Sequence, residues 1–441
     1  MMSDYSKFFS DDVPFFLGSP VREIFRAVDL SSIYSFAGGY PDAATFPVEE
    51  IERLTTLVLE KYGSKALQYS GTQGVPELRE VIARRYGVPV ENVLVTTSSQ
   101  QGIDVCSRIM LNPGDVVLTT APTYLGALQS FLSYRAKVVT LPSFLRSTNG
   151  TGCPIQNGLT PSGACRPRQG RGGTAFAVGS KEVSYFCDSA KITDSFDSRR
   201  GSDHSESDSP RLPKFCYVIP DFQNPSGETM SLEERKELVR MAREMDFIIV
   251  EDSPYRELRY SGEHVPTIYS LAPERTLNLG SFSKIFAPGF RLGWIIGPVP
   301  LLEQIYKCKQ SLDLCPPVLN QYVAAEFMGS GALDANLLKS IDLYRGKRDL
   351  MLSLLEKYMP SGVTWTHPEG GLFLFVTLPE HIDTVALYSK ALSAGVAYVA
   401  GSFFYPDGSH RNTMRLNFSY LDTSRMEPGI KLLADLLKEA S

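Results

Sequence analysis

The sequence predicts an α/β fold, with one large, mostly parallel sheet covered by helices and a smaller α+β domain. Three observations predict it: recurrent short apolar runs, helical periods between several of them, and a change of pattern beyond residue 310. The apolar runs are Val93–Thr96, Val116–Thr119, Lys137–Leu141, Cys216–Ile219, Phe247–Val250, Thr276–Leu279 and Gly293–Ile296. Runs this short and this apolar read as buried parallel strands. Among the helical periods, Leu232–Met245 puts Leu238, Val239, Met241 and Ala242 on one side and charges on the other, the amphipathic pattern of a packed helix. Pro76–Tyr86 and Gln101–Leu111 also read as helices. Strand–helix alternation argues for a parallel sheet with helices on its faces. Beyond residue 310, helical stretches at Gln321–Phe327 and Leu337–Tyr358 precede strands at Thr364–Thr366, Leu372–Thr377 and Met414–Phe418, then a helix near Glu427–Lys438. The expected division is an N-terminal segment 1–45 that joins the small domain, a large body 46–310 and a small C-terminal domain 311–441.

Composition narrows the function classes. Of 441 residues, 43% are hydrophobic and 21% charged, values of a soluble globular chain with ample core, not of wholesale disorder. Lys+Arg number 44 against 49 Asp+Glu, a net charge of −5. A mildly acidic chain makes no general nucleic-acid binder. The seven cysteines include no CxxC, so reduced thiols are expected rather than a disulfide scaffold or a metal site. No apolar run approaches a membrane span. Phe15-Phe16-Leu17 is preceded by Asp11, Asp12 and Pro14, which is not a secretory signal. The expected compartment is the cytoplasm, without a membrane or nucleic-acid partner.

Residues 143–213 interrupt the large body. They are rich in Ser, Gly, Arg and Asp and poor in Leu and Ile, too polar to offset the entropy of ordering. A flexible insertion is expected, with one ordered piece near Thr174–Phe186. A regulatory loop, a lineage insertion and an error in the gene's assembly all fit such a segment.

Chemistry concentrates at strand ends. Leu279-Gly-Ser-Phe-Ser-Lys284 leads to Arg291. Hydroxyls beside a guanidinium suit a phosphate, and a lysine among apolar residues suits a Schiff base. Phe247-Ile-Ile-Val-Glu-Asp252 delivers an acid to a strand's C-terminal end, with Tyr255 three residues on. Ligands of open α/β sheets bind at such ends, and an acid there can pair with a protonated ring nitrogen. Cys216-Tyr-Val-Ile-Pro-Asp-Phe-Gln-Asn224 ends in a Pro/Asn/Gly turn, and Val93–Thr96 runs into Ser98, Ser99 and Gln100 at a helix start, a place for an anion. Tyr124 leaves another strand end, where it can stack on a planar ring, and Arg415 lies on a late strand, suited to grip a carboxylate. Each motif alone also has an ordinary reading. These are a solvated lysine, a turn acid, an Asn-Pro turn, an N-cap at Ser99 and a structural ion pair at Arg415.

Together the motifs resemble the fold-type-I pyridoxal-phosphate aminotransferases of class I/II, in the branch of the 2-aminoadipate and kynurenine enzymes. Phe36-Ala-Gly-Gly-Tyr-Pro41, Leu67-Gln-Tyr-Ser-Gly-Thr-Gln-Gly74, Pro220-Asp-Phe-Gln-Asn-Pro-Ser-Gly227 and Ser281-Phe-Ser-Lys284 with Pro288-Gly-Phe-Arg291 carry the resemblance. It implies the PLP-dependent transferase fold and transamination between an L-amino acid and a 2-oxo acid, 2-oxoglutarate being the expected acceptor. It implies a Schiff base of the cofactor with Lys284, which then shuttles a proton. It implies that Asp252 pairs with the ring nitrogen, that Asn224 and Tyr255 bind the phenolic oxygen, and that Tyr124 stacks on the ring. Ser99, Gln100, Ser281 and Arg291 would hold the phosphate, assisted by Ser283. Tyr69 would reach the phosphate of a neighbouring subunit, so a homodimer is expected. Arg415, Gly39 and Asn224 would receive the substrate, with Arg22 on a mobile N-terminal segment. No metal is expected.

The chain departs from that pattern twice. Where the family has a compact connection carrying a helix, it has the polar 143–213, so one sheet face is expected to be under-covered. Ser98 stands where a glycine usually precedes Ser-Gln, a change expected to tighten the turn. Two other readings stay open, and a third, a transcriptional regulator, is nearly excluded. A PLP-dependent C–S lyase would use the same cofactor residues. An impaired homologue disrupted by 143–213 would bind the cofactor poorly. A transcriptional regulator with the same domain would need a winged helix ahead of Phe36, where this sequence has residues 1–35.

Overall fold

The structure is a computed structural model that describes residues 5–18, 32–141, 177–178, 181–182 and 212–440. The expectations for Arg22, and for nearly all of 143–213, lie outside these residues. Within that stretch, Ala177–Val178 pairs antiparallel with Lys181–Glu182 as a small unit of its own.

Seven strands form the main sheet. From edge to edge they are Val93–Thr96, Gly293–Ile296, Thr276–Ser281, Ile248–Asp252, Pro213–Val218, Val116–Thr119 and Lys137–Thr140. The pairings from Thr276–Ser281 through Lys137–Thr140 are all parallel. The interior strand Thr276–Ser281 and the edge strand Val93–Thr96 are both buried along their whole length, as a sheet covered on both faces requires.

Two expectations need correction. Gly293–Ile296 is antiparallel to both neighbours, because an apolar run carries no record of its direction. Lys137–Thr140 is an edge strand with Lys137, Val139 and Thr140 exposed, not a buried one; having a neighbour on one side only, it can leave residues in water.

Helices pack on the sheet where their ends are chemically marked. Leu232–Glu244 begins with a reciprocal cap, Ser231 Oγ accepting from Glu234 N at 3.2 Å and Glu234 Oε2 from Ser231 N at 2.7 Å, which satisfies two N–H groups the first turn leaves free. Pro76–Tyr86 starts on proline and stops at Gly87, whose φ is 65°. The helices Val48–Tyr62, Leu125–Ser133, Val299–Gln310 and Thr384–Ala394 were not expected from the sequence pattern.

A second, antiparallel sheet follows in the order Thr364–Trp365, Phe373–Thr377, Thr413–Asn417 and Val399–Ala400. The early strand Tyr34–Ser35 pairs with Val396–Ala397, which brings the Phe36–Pro41 motif beside these late strands. Lys347, almost fully buried, fixes that motif by bonding Asp42 and the carbonyls of Ser419 and Leu421.

Candidate active site

Five segments meet at one edge of the main sheet. Thr97–Gln100 follows Val93–Thr96, Tyr124 comes after Val116–Thr119, and the turn 220–227 follows Pro213–Val218. Tyr255 follows Ile248–Asp252, and Lys284 follows Thr276–Ser281. Arg291 joins them because the antiparallel Gly293–Ile296 begins where its neighbours end.

Lys284 lies at the centre. Its Nζ donates to the Gly39 carbonyl at 2.7 Å. Burial, reinforced by the positive charges of Arg415 and Arg291, lowers the amine from 10.5 to about 8. A neutral amine, the nucleophilic form, is therefore accessible near neutrality.

Asp252 and its neighbour Glu251 point to opposite sides of their strand, as alternation demands. Glu251 accepts from the backbone N–H groups of Ile268 and Tyr269 at 2.8 and 2.9 Å. Asp252 Oδ2 accepts from the Tyr217 hydroxyl at 2.7 Å, while Oδ1 is buried without a partner among the described residues. Burial raises the Asp252 carboxyl to about 7 even though the Tyr217 bond opposes it.

Arg415 is buried between two aromatic faces, 4.3 Å from the Phe373 centroid and 5.2 Å from that of Phe404. Its Nη1 donates to Asn224 Oδ1 at 2.8 Å and its Nη2 to the Ala37 carbonyl at 2.5 Å. Nε has no partner among the described residues. Burial lowers this guanidinium to about 10. Asn224 also lies near Tyr255 and favours the ionised phenol, whose ionisation burial opposes.

Around the helix start, Tyr124 donates to Gln100 Oε1 at 3.2 Å and Gln100 Nε2 to the Gly126 carbonyl at 3.0 Å. A Cβ on Gly126 would come within 2.6 Å of the Tyr124 ring and 2.7 Å of Gln100 Oε1, so only glycine permits this contact. The helix is Ser98–Met110, so Ser99 lies in its first turn and does not cap it. Ser281 Oγ accepts from the Ser283 N–H at 3.2 Å, and Arg291 Nη2 donates to Ser98 Oγ at 2.6 Å.

The structure thus gathers Lys284, Asp252, Asn224, Tyr255, Tyr124, Ser99, Gln100, Ser281, Ser283, Arg291, Gly39 and Arg415. It does not bring Tyr69 to them; that residue is 78% exposed. Two contributors were missed. In the sequence Tyr217 reads only as part of a strand, though a buried phenol usually has a hydrogen-bond partner. Phe373 was one apolar residue among several, and nothing in its run marks it as the stacking face for Arg415.

A lysine, a buried carboxylate with an unmatched oxygen and an arginine at the strand ends of such a sheet find their counterpart in known proteins. The family model described as aminotransferase class I and II matches residues 37–150 and 210–433. The chain belongs to the class I and II aminotransferases. It is 40% identical to the aromatic-amino-acid aminotransferase 1 of Thermococcus litoralis, covering 99% of this chain and 95% of that one. Among solved structures it is similar to a kynurenine aminotransferase of Pyrococcus horikoshii in complex with PMP, at 38% identity and a TM-score of 0.81, over 99% and 98% of the two chains. It is also similar to the α-aminoadipate aminotransferase of Thermus thermophilus complexed with N-(5'-phosphopyridoxyl)-L-leucine, at 30% identity and a TM-score of 0.80, over 99% of each chain.

The aminotransferase takes pyridoxal phosphate as its cofactor, and its residues fit that group. The unpartnered Asp252 Oδ1 can face a ring N–H, the Tyr124–Gln100–Gly126 contact offers an aromatic wall, and a helix N-terminus stands beside Arg291.

Proposed function

We propose that this transaminase takes large L-amino acids, aromatic ones first, as donors and 2-oxoglutarate as acceptor. The single observation that carries the site assignment is a pair of buried polar atoms without partners among the described residues, Asp252 Oδ1 and Arg415 Nε. Buried polar atoms are normally satisfied, so these two point to a ring nitrogen and a carboxylate. The names of the relatives support the donor class.

When bound, pyridoxal phosphate supplies an aldehyde for the amino group and an electron sink for the α-carbon. The chain's residues do the rest. Arg415 holds the substrate α-carboxylate against Asn224 and the Gly39 segment. Lys284 Nζ, poised near neutral pH, takes the proton from the substrate α-carbon and returns it. Asp252 Oδ1 keeps the ring nitrogen protonated; Asn224 and Tyr255 hold the phenolic oxygen, and Tyr124 lies on the ring. Ser99, Gln100, Ser281 and Arg291 bind the phosphate, with Ser283 in support.

We further propose a homodimer in which Tyr69 completes the phosphate site of a second copy. Tyr69 at 78% and Leu67 at 71% exposure support it, since adjacent bare apolar side chains suit an interface. Residues 46–310 form the cofactor-binding body, and 1–45 joins 311–441 as the small domain, a division supported by the pairing of Tyr34–Ser35 with Val396–Ala397. Among the described residues no helix is long and apolar enough to cross a membrane. A cytoplasmic location accords with the described cysteines Cys106, Cys216, Cys308 and Cys315, which are free thiols.

The test is an absorbance spectrum of the purified protein before and after adding L-amino acids without any oxo acid. The expected result is a visible cofactor band that converts to the amine form, fastest with aromatic donors, and is restored by 2-oxoglutarate. Release of ammonia or thiol instead would replace transamination by β-elimination, and a protein that pyridoxal phosphate cannot colour would overturn the site.

A further inference from the structure

Ser98 is an exception to the local backbone rule. Its φ is 69° and it is 3% exposed, so a residue with a Cβ occupies the left-handed region that costs glycine nothing. The conformation is imposed from both sides. Thr96 Oγ1 donates to the Ser98 carbonyl at 3.0 Å. On the other side, a Cβ on Gly293 would stand 2.8 Å from Ser98 C and 2.9 Å from Ser99 N, so the following strand presses against this peptide. Glycine would satisfy that geometry without strain; what the serine adds is a hydroxyl.

The hydroxyl accepts from Arg291 Nη2 at 2.6 Å, while Arg291 Nη1 donates to the Pro288 carbonyl at 3.2 Å. Arg291 itself has a φ of 51° and is exposed. An exposed arginine loses rotamer freedom when it binds an anion. Two anchors, one on each terminal nitrogen, hold the guanidinium beside the first turn of Ser98–Met110.

We propose that Ser98 is a positioning residue for the cofactor's phosphate, acting through Arg291. This rests on the reading of Ser99, Gln100, Ser281 and Arg291 as the phosphate site. The hydroxyl aims one arginine and leaves the ring-binding residues alone. Its effect is therefore confined to ligands that carry a phosphate, which separates it from a role in holding the strand.

The experiment compares pyridoxamine phosphate with pyridoxamine, titrated into the cofactor-free full chain, so that no covalent bond to Lys284 contributes. Ser98→Gly keeps the backbone conformation and removes the hydroxyl. The expected outcome is an unfolding midpoint unchanged or raised, a loss of affinity for pyridoxamine phosphate of about tenfold, and no change for pyridoxamine. Arg291→Met is expected to remove most of the preference for the phosphorylated ligand, and Ser98→Gly added to it is expected to cost nothing more. Equal losses for both ligands in Ser98→Gly, or no loss, would overturn the proposal, as would a further loss in the double variant. If Arg291→Met itself left the phosphate preference intact, the phosphate site reading would fail, and the Ser98 proposal with it.

Discussion

Replacing Tyr217 with phenylalanine deletes one oxygen atom from a fully buried ring that stays packed edge-on against Phe131 at 5.5 Å. The lost atom is the donor to Asp252 Oδ2 at 2.7 Å, and Oδ1 has no partner among the described residues to compensate. A hydrogen bond to a charged group is worth about 1.5–3 kcal/mol, and a pKa unit about 1.4 kcal/mol, so the Asp252 carboxyl rises by a further one to two units, roughly. The sign follows from proton counts. The folded value of about 7 lies above the ordinary 3.8, so between the two the folded protein holds the extra proton. Stability therefore falls as pH rises through that window, and the penalty is complete above it. In Tyr217→Phe the window extends upward. At about pH 5 Asp252 is neutral in both proteins and the variant lacks only a neutral hydrogen bond; at about pH 9 the missing bond is the stronger one to a charge. The difference in unfolding free energy between the two proteins grows by about 1–2 kcal/mol over that range. Urea unfolding of the cofactor-free protein at several pH values measures it, with the same pair compared in an Asp252→Asn background. A difference that ignores pH, or growth that survives in the Asn background, would refute the reasoning.

Three further outcomes are expected. Reductive labelling of the cofactor-free protein with pyridoxal and borohydride should fix the label to Lys284, be lost in Lys284→Ala, and rise with pH to half-maximum near about 8. A half-maximum near 10.5, the ordinary lysine value, would place the amine in water, and Arg415→Met should move the half-maximum upward by removing a like charge. Arg415→Lys keeps a charge but loses the planar fork and the stack on Phe373 and Phe404, so steady-state kinetics should show KM for amino acid and oxo acid up by about 10- to 100-fold with a smaller change in kcat; an unchanged KM would remove Arg415 from substrate binding. Arg235→Ala breaks a fully buried pair with Asp221 at 2.8 Å and should cost about 3 kcal/mol by thermal or urea unfolding, the low end of the usual range because Arg256 still reaches Asp221 at 3.0 Å.

The sequence by itself determined which chemistry is present, because each functional group travels in a short contiguous motif at the end of an apolar run. Val93–Thr96 with Ser99 and Gln100, the run ending at Asp252, and Ser281 to Lys284 were legible for that reason, and three strands have the limits expected of them: Val93–Thr96, Val116–Thr119 and Gly293–Ile296. Local patterns record burial and turn chemistry but not direction, register or handedness. That Gly293–Ile296 runs against its neighbours, and so brings Arg291 to the edge where Lys284 waits, was decided by the sheet. The match of Tyr217 with Val250 puts a phenol on the same face as Asp252, from 35 positions away in the chain. Ser98 was visible as a departure from a pattern, but its left-handed backbone and its grip on Arg291 exist only because Gly293 and Thr96 close around it. Burial supplies the remainder, since the shifts of Lys284 and Asp252 toward neutrality come first from desolvation, and desolvation is a property of everything packed around a residue rather than of its neighbours in the chain.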